Sequence, residues 1–310
     1  MIKVFIDGAS GTTGLCIRER LSDRKDVSII TLDQSERRDP SARGQAIRES
    51  DVTFFCLPDE AARESAALAG DVDTVIIDTS TAHRVSDGWT YGFPEIGDLR
   101  GRIAASKRIA NPGCHASGFI ALVAPLVAAG VLSADSCLSC FSLTGYSGGG
   151  KKMIADYEDP ANAERLRAPS TYALSQNHKH LPEMAKICGL RRPPVFCPVV
   201  APFYSGMQVT VPLDRETAKC GIEEIKAVYR SVYTGRIVRF AEDPSENGFL
   251  GAGVFSGRDD MEISVFGNED RITLVARFDN LGKGACGAAV QNMNIALSIP
   301  EDTGLVLGED

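Results

Sequence analysis

The stretch that decides the fold is IKVFIDGASGTTGL, residues 2–15. It begins with a short apolar strand and continues into a turn with three glycines at intervals of three residues. Glycines in such a turn let the backbone approach a pyrophosphate, and the N-terminus of a following helix supplies free N–H groups. The first glycine step is one residue longer than in the usual dinucleotide fingerprint. The stretch predicts a strand, a dinucleotide-binding turn and a helix over 12–23; a tight turn without a ligand is the alternative.

Strands and helices continue to alternate after this turn. We predict strands at 27–32, 52–57 and 75–78 and a helix at 60–69. Such alternation is typical of a parallel sheet that binds its ligand at the carboxyl ends of the strands.

The pattern changes at about residue 115. Strands predicted at 137–144, 203–213, 236–240, 261–266 and 271–278 are adjacent in sequence, with a helix at 222–233. A closing helix at 283–297 is predicted to pack back on the first domain. The fold class is therefore α/β, with a Rossmann-like parallel-sheet nucleotide domain and an α+β domain with a mostly antiparallel or mixed sheet.

Composition excludes several classes of protein. The chain has 310 residues, which suits two domains, and a net charge of −8, which argues against a nucleic-acid partner. No apolar run approaches the roughly 20 residues that a membrane span needs. Nine irregularly spaced cysteines and an N-terminus that leads straight into a strand favour a reducing cytoplasm. Cys137 and Cys140 are three apart in a predicted strand, face opposite sides, and are interpreted as core residues.

The run NPGCHAS, residues 111–117, contains the candidate nucleophile Cys114. A Pro-Gly turn precedes the cysteine, and an apolar stretch that predicts a helix follows it. A thiol at a helix N-terminus lies where the helix dipole favours the thiolate, which is the reactive form. The alternative is a small buried apolar residue, the usual role of a free cysteine.

Two histidines in NHKHLPE, residues 177–183, are candidate partners for that thiol. His178 and His180 lie on one face if the chain is extended, and the following Pro and Glu suit the first turn of a helix. Histidine is the usual acid or base partner of a cysteine. A zinc site with Cys114 lacks typical ligand spacing, so no metal is expected. Exposed loop histidines are the other alternative.

Two signals conflict over the nucleotide. Asp33 lies about 20 residues after the turn, where a carboxylate would hold a ribose 2′-hydroxyl. Ser35, Arg37 and Arg38 lie just beyond it and suit a 2′-phosphate. The residues alone leave NAD and NADP open.

Polar residues elsewhere suggest anion and ligand contacts. The glycine-rich loop at 145–152, with Ser147, Gly148 and Lys151, can wrap an anion with backbone N–H groups, or it can be a flexible connection. Gln291 and Asn292 lie on an otherwise buried helix, where amides need partners.

Six motifs occur in one order along the chain: GASGTTG at 8–14, DTSTAHR at 78–84, NPGC at 111–114, SGGG at 147–150, HKHLPE at 178–183, and DNLGKG at 279–284 followed by AVQNMN at 289–294. In these motifs and in length the chain resembles the shorter subtype of the N-acetyl-γ-glutamyl-phosphate reductases, relatives of aspartate-semialdehyde dehydrogenase. Two departures are His115, where many members carry an aromatic residue, and Asp7, a carboxylate directly before the glycine turn.

The resemblance implies that residues 1–114 with 285–310 form an NADP-binding domain, and that 115–284 form the catalytic and oligomerisation domain. It implies NADP(H), which favours Ser35, Arg37 and Arg38 over Asp33. It further implies a cytoplasmic homodimer or homotetramer that acts on a small acyl phosphate and releases inorganic phosphate, without a nucleic-acid or membrane partner.

The implied reaction is NADPH-dependent reduction of N-acetyl-L-glutamyl 5-phosphate to the 5-semialdehyde plus phosphate, in arginine biosynthesis. Cys114 would form a thioester, with His180 as acid and base and His178 as the reserve. Two alternatives are an aspartate-semialdehyde dehydrogenase and a nucleotide-sensing regulator without turnover.

The expected binding residues fall into two groups. For the cofactor they are Gly8, Ser10, Gly11, Thr12, Thr13, Gly14, Ser35, Arg37, Arg38, Leu57, Pro58, Gln291 and Asn292. For the substrate they are Arg84, Asn111, Ser147, Gly148 and Lys151.

Overall fold

A computed structural model describes residues 1–309, which divide into two units. The first unit contains residues 1–94, 98–112 and 285–305. The second contains residues 95–97, 113–284 and the segment from Val306 onward. None of the helices in the described part of the chain is long and apolar enough to cross a bilayer.

Strands and helices are numbered in chain order. The strands are β1 (Ile2–Asp7), β2 (Val27–Ile30), β3 (Val52–Phe55), β4 (Val75–Asp78), β5 (Thr90–Tyr91), β6 (Arg108–Ala110), β7 (Ser139–Gly145), β8 (Ser170–Thr171), β9 (Val195–Ala201), β10 (Met207–Asp214), β11 (Val238–Phe240), β12 (Met261–Gly267) and β13 (Arg271–Phe278). The helices are α1 (Thr12–Ser22), α2 (Pro40–Glu49), α3 (Asp59–Ala69), α4 (Leu99–Ala104), α5 (Cys114–Ala128), α6 (Gly150–Glu158), α7 (Ala163–Leu166), α8 (Leu181–Cys188), α9 (Arg215–Ala218), α10 (Ile222–Val232) and α11 (Gly287–Ala296).

The first unit is built on a six-stranded sheet with the order β2-β1-β3-β4-β6-β5. Every strand pair in it is parallel, which confirms the predicted Rossmann-like class. Phe5, Phe55 and Ile76 of the sheet pack against Ile47 of α2 in a buried core. The glycine turn therefore leaves β1 at the carboxyl edge of the sheet, where such folds bind ligands.

Helix α2 was not predicted, although its start carries clear signals. Pro40 occupies the first position, and the Asp39 side chain accepts hydrogen bonds from the N–H groups of Ser41 and Ala42. These are the usual N-terminal features of a helix. Its sequence PSARGQAIRE has few apolar residues, so the periodicity on which the prediction depended is weak.

A buried ion pair explains why Asp7 is tolerated before the glycine turn. The Asp7 carboxylate accepts a hydrogen bond from the Arg43 guanidinium at 2.8 Å and another from the Ser65 hydroxyl at 2.8 Å. Arg43 also donates to Ser65. The carboxylate is thereby neutralised inside the unit, and the expected repulsion of a pyrophosphate does not arise.

Cysteines Cys16 in α1 and Cys286, directly before α11, form a disulfide within the first unit. The sequence analysis did not predict this pairing. Helix α11 packs beside α1, which brings together two residues 270 positions apart in the chain.

The second unit is built on a seven-stranded sheet with the order β11-β12-β13-β10-β7-β9-β8. Two of its strand pairs, β11/β12 and β7/β9, are parallel and the others are antiparallel, which confirms the predicted mixed sheet. The interpretation of Cys137 as a core strand residue was wrong. Cys137 is exposed and precedes β7, whereas Cys140 lies within the strand and is buried.

Helix α5 lies at the centre of the second unit. All its residues from His115 to Leu126 are buried, and it packs against β10, β13, α8 and α10. Gly118 permits this packing, since a Cβ there would lie 2.4 Å from the Val209 side chain. A helix that is apolar on all sides requires such complete enclosure.

Pro125 interrupts the hydrogen bonding of α5. Because proline has no N–H, the Ala121 carbonyl loses its partner four residues further along. The Tyr233 hydroxyl donates to that carbonyl at 2.6 Å. The neighbouring Tyr229 hydroxyl donates to the Leu122 carbonyl, which residue 126 can also reach through its N–H group.

We expect Tyr233→Phe to lower the free energy of unfolding by about 1–3 kcal/mol, because the Ala121 carbonyl becomes a buried acceptor without a donor. Tyr229→Phe is the matched control and is expected to cost less, since its acceptor keeps a helical partner. Urea denaturation of both variants measures the difference. Equal losses of unfolding free energy in the two variants would show that the missing N–H of Pro125 does not determine the effect.

Candidate active site

Cys114 is the first residue of α5, and Gly113 is its N-cap with extended backbone. The thiol is half-buried. A Cβ at Gly284 would lie 2.9 Å from the Cβ of Cys114, so only glycine allows the chain to pass this close to the thiol-bearing residue. Cys114 therefore lies in the first helical turn, whose N–H groups are not used by carbonyls of the helix itself.

Glu183 is a buried residue of this site that the sequence analysis did not assign a role. Its carboxylate accepts a hydrogen bond from the Gly113 N–H at 3.2 Å. It lies in the first turn of α8, and its exposed fraction is only 1%. An acidic residue in the first turn of a helix is common, so nothing in the sequence distinguishes Glu183 as a site residue.

The two predicted histidines lie in one cluster with His115, the residue next to the thiol. The ring centroid of His115 lies 5.6 Å from that of His178 and 5.6 Å from that of His180. The ring centroids of His178 and His180 lie 4.6 Å apart. The backbone N–H of His180 donates to Nδ1 of His178 at 3.2 Å. His180 is buried directly ahead of α8, whereas His178 is half-buried.

His115 is held between two hydroxyl groups. Its Nδ1 lies 2.6 Å from Oγ of Ser142, and its Nε2 lies 2.6 Å from the hydroxyl of Tyr172. Burial lowers the pKa of His115 to about 3. The imidazole is therefore neutral near pH 7 and is not a reservoir of protons for catalysis.

Gln176 holds the loop that carries His178 and His180 against β9. The Gln176 side chain donates to the Phe196 carbonyl at 2.7 Å and accepts from the Phe196 N–H at 2.9 Å. The Phe196 ring lies 5.3 Å from His115 and 5.1 Å from His178. This pair of hydrogen bonds continues the pairing of β8 with β9 and holds the loop against the cluster.

In the first unit, the carboxyl edge of the sheet carries a cavity of about 760 Å³. It is lined by Gly8 and Ser10 of the turn, Leu57 after β3, and Ser35, Arg37 and Arg38 after β2. Arg18 of α1 also lines it and was not predicted. Asp33 is exposed and does not line it. The cavity wall is therefore basic near the residues that follow β2. These are the residues from which the sequence alone could not decide between NAD and NADP.

The glycine turn is packed closely against the chain that follows β3. Gly8 has φ +90°, and a Cβ there would lie 2.3 Å from the Cys56 carbonyl oxygen. Gly11 is the N-cap of α1, which begins with Thr12, Thr13 and Gly14. Two buried oxygens of this unit, Oγ1 of Thr12 and Oδ1 of Asn292, have no partner among residues 1–309. The roomy basic cavity beside the glycine turn fits NADP, and the two unpaired oxygens belong to residues outside its lining.

Several other predicted site residues of the first unit form hydrogen bonds within that unit. Arg84 donates to the carbonyls of Asn111 at 2.9 Å and Thr79 at 3.0 Å. The Asn111 amide donates to the Ala285 carbonyl and accepts from Asn292. Gln291 donates to Glu301 at 2.8 Å, and Pro58 is the N-cap of α3.

The glycine-rich loop of the second unit forms a short 3₁₀ turn at 146–149. Ser147 is buried, and its Oγ accepts a hydrogen bond from the Asn280 amide at 2.9 Å. The same Asn280 side chain accepts from the Gly206 N–H. Gly148 lies in this turn, and Lys151 is exposed on α6.

Comparison with known proteins gives two matched families and several relatives. Residues 3–103 match the family described as semialdehyde dehydrogenase, NAD binding domain, and residues 114–280 match semialdehyde dehydrogenase, dimerisation domain. A protein of Allorhizobium ampelinum named N-acetyl-gamma-glutamyl-phosphate reductase is 44% identical over 96% of this chain and 99% of its own length. A relative of the same name from Brucella anthropi is 45% identical over 95% of this chain and 98% of its own length.

Solved structures agree on the fold. Aspartate semialdehyde dehydrogenase II from Vibrio cholerae has a TM-score of 0.74 at 18% identity, over 96% of this chain and 99% of its own. Aspartate semialdehyde dehydrogenase with NADP from Candida albicans has a TM-score of 0.69 at 14% identity, over 96% and 99%. At such identities the likeness concerns the fold alone. The near full-length sequence relatives show that the chain belongs to the N-acetyl-γ-glutamyl-phosphate reductases, a family with semialdehyde dehydrogenase domains.

Proposed function

We propose that the chain catalyses the NADPH-dependent reduction of N-acetyl-L-glutamyl 5-phosphate to N-acetyl-L-glutamate 5-semialdehyde and inorganic phosphate, a step of arginine biosynthesis. One observation carries this conclusion: a half-buried thiol, Cys114, begins a fully enclosed helix beside a histidine cluster. Relatives of 42–45% identity that bear the name of this reductase identify the substrate.

Cys114 is the proposed nucleophile. Its position at the N-terminus of α5 favours the thiolate, because the partial positive charge of the helix end stabilises an anion. The sulfur forms a bond to the acyl carbon and the carbon–oxygen bond to phosphate breaks, which leaves a thioester on Cys114 and inorganic phosphate.

Backbone N–H groups are the proposed stabilisers of the oxyanions in this sequence. Those of Cys114 and His115 belong to the first turn of α5 and have no acceptor within the helix. The Gly113 N–H is already occupied by the Glu183 carboxylate. Donors aimed at a developing negative charge are among the largest contributions to catalysis.

His180 is the proposed acid and base. As a base it takes the proton of the Cys114 thiol. As an acid it donates a proton to the oxygen of the departing phosphate. His178 is the weaker candidate, because its Nδ1 accepts from the His180 backbone and protonation there would break that hydrogen bond. His115 is neutral near pH 7 and is assigned neither role.

The first unit, residues 1–94, 98–112 and 285–305, is the proposed NADP-binding domain, for which the sequence analysis expected residues 1–114 with 285–310. The glycine turn would hold the pyrophosphate, and Ser35, Arg37 and Arg38, joined by Arg18, would hold the 2′-phosphate. The unpaired Oδ1 of Asn292 is a further acceptor for the cofactor. When bound, NADPH supplies the hydride that reduces the thioester.

For the substrate, we propose that Ser147, Gly148 and Arg84 contribute polar contacts. Lys151 is exposed and would attract an anion as a point charge. Both ends of the Asn111 amide are occupied, so its proposed role is to hold the segment that leads into Cys114.

Residues 115–284 are the proposed catalytic and oligomerisation domain. Phe141 of β7 and Val195 of β9 are large apolar residues exposed on neighbouring strands of its sheet. A second copy of the chain covering them would give a homodimer, or a homotetramer built from two dimers. A cytoplasmic location completes the proposal: the seven free thiols suit a reducing compartment, whereas the Cys16–Cys286 disulfide is unusual for one.

We expect Cys114→Ser to lower kcat by about a thousandfold or more, because the hydroxyl is a far weaker nucleophile and no thioester forms. Cys137→Ser, which changes an exposed cysteine of the same unit, is the control and is expected to keep full activity. Reduction of NADP⁺ by N-acetylglutamate semialdehyde and phosphate measures both. Wild-type turnover with aspartate semialdehyde alone, or full activity of Cys114→Ser, would contradict the proposed function.

The double variant Arg37→Gln/Arg38→Gln is expected to raise KM for NADPH by about tenfold or more, because charge-assisted hydrogen bonds to a 2′-phosphate are lost. KM for NADH, which lacks that phosphate, is expected to change little. Arg102→Gln, at an arginine on α4 of the same unit that does not line the cavity, is the control. An equal effect on both nucleotides would place the phosphate elsewhere.

A further inference from the structure

Asn280 joins two loops of the second unit and has no role in the function proposed above. It lies two residues after β13, and its exposed fraction is only 1%. Its side chain contacts Ser147 of the glycine-rich loop and Gly206 directly before β10, each at 2.9 Å. Four residues further on, the same segment passes the nucleophile at Gly284, where a Cβ would lie 2.9 Å from that of Cys114.

The Gly206 N–H determines how the Asn280 amide is turned. A backbone N–H can only donate, so the atom that it faces is the Oδ1 oxygen of Asn280. The Nδ2 group therefore faces Ser147, and it too can only donate. The Ser147 oxygen consequently accepts this hydrogen bond, and the hydroxyl hydrogen of Ser147 points away from Asn280.

That hydroxyl hydrogen has no acceptor among residues 1–309, where the hydrogen bond from Asn280 is the only one that the Ser147 hydroxyl forms. Ser147 is 1% exposed, and its backbone N–H donates to the Tyr204 carbonyl at 2.9 Å, which fixes the residue in place. A buried donor without an acceptor costs free energy, and a ligand oxygen that accepts from it recovers this cost. Ser147 is thus a donor in need of an acceptor.

The surroundings of Ser147 favour an acceptor with negative charge. Helix α6 begins at Gly150, three residues after Ser147, and no acidic residue lies in its first turn. The N–H groups of that turn carry partial positive charge, and the exposed Lys151 and Lys152 add two cations. A hydrogen bond from a hydroxyl to an anion is also stronger than one to a neutral oxygen.

We propose that Asn280 is a positioning residue that keeps the Ser147 hydroxyl turned as a donor toward an anionic oxygen of the substrate. The inference rests on the proposed function, which places Ser147 among the substrate contacts. That substrate carries two anionic groups, its phosphate and its α-carboxylate. Because Asn280 occupies the Ser147 oxygen before the substrate binds, the donor is oriented in advance and needs no reorganisation.

Asn280→Asp reverses the hydrogen bond and keeps the shape of the side chain. One carboxylate oxygen still accepts from Gly206, whereas the other accepts from the Ser147 hydroxyl, which is then lost to the substrate. In NADP⁺ reduction with phosphate and N-acetylglutamate semialdehyde varied separately, we expect the KM of one of the two to rise about tenfold or more. The reactant affected identifies the anionic group. KM for NADP⁺ is expected to stay unchanged.

Two variants separate the loss of the donor from the effect of a new charge. Ser147→Ala removes the hydroxyl without adding a charge and is expected to raise the same KM by a similar factor. Asn280→Asp on the Ser147→Ala background is expected to add less than about a twofold rise, because no hydroxyl remains to be redirected. A second rise of about tenfold there would show repulsion or disturbed packing and would overturn the proposal.

Asn268→Asp is the matched control, since it makes the same change of charge at an exposed asparagine whose Oδ1 also accepts from backbone N–H groups. It is expected to leave every KM unchanged. If thermal unfolding shows that Asn280→Asp does not fold, Ser147→Ala still decides: unchanged KM values for phosphate and for the semialdehyde in that variant would overturn the proposal.

Equilibrium binding tests the same donor without turnover. Isothermal titration calorimetry with inorganic phosphate, and separately with N-acetyl-L-glutamate, gives a Kd for each anionic group. We expect one of the two Kd values to be about tenfold higher in Asn280→Asp and in Ser147→Ala than in the wild type. Equal Kd values in all three proteins would overturn the proposal. Absence of phosphate-dependent NADP⁺ reduction by the wild type would instead contradict the proposed function and leave this measurement intact.

Discussion

The enclosure of α5 is the constraint on which the second unit depends. A helix without a polar face is stable only when other elements cover every side, so β10, β13, α8 and α10 must all be in place around it. Its first residue, Cys114, is consequently positioned by the whole unit rather than by its own loop. The thiol combines a fixed location with the electrostatic advantage of a helix end.

Because α5 is enclosed, each polar group near it needs a hydrogen-bond partner within the protein. Pro125 has no N–H to donate to the Ala121 carbonyl, so the Tyr233 hydroxyl donates to it instead. The imidazole of His115 forms hydrogen bonds with two hydroxyl groups. The Gly113 N–H, ahead of the helix, is matched by a buried carboxylate. These partners are three hydroxyl groups and one carboxylate, so polar groups close to the nucleophile are hydrogen-bonded within the protein.

The sequence was informative where the signal is local. The glycine turn, the parallel and mixed sheets and the thiol at a helix start all follow from short patterns. It was uninformative where partners are distant: Arg43 neutralises Asp7 across 36 positions, and Cys16 meets Cys286 across 270. Glu183 and Arg18 stand in ordinary helical patterns, and only the fold reveals that they face a backbone N–H and a cavity.

The Asp7, Arg43 and Ser65 cluster constrains which substitutions the first unit tolerates. Loss of one member of a buried ion pair leaves the other charge without compensation, at a cost of about 3–5 kcal/mol, whereas joint replacement by apolar side chains can be neutral. Asp7 and Arg43 can therefore be replaced together at little cost, whereas a change of the carboxylate alone leaves the guanidinium as a buried charge without compensation. The carboxylate directly before the glycine turn thus belongs to the packing of the core.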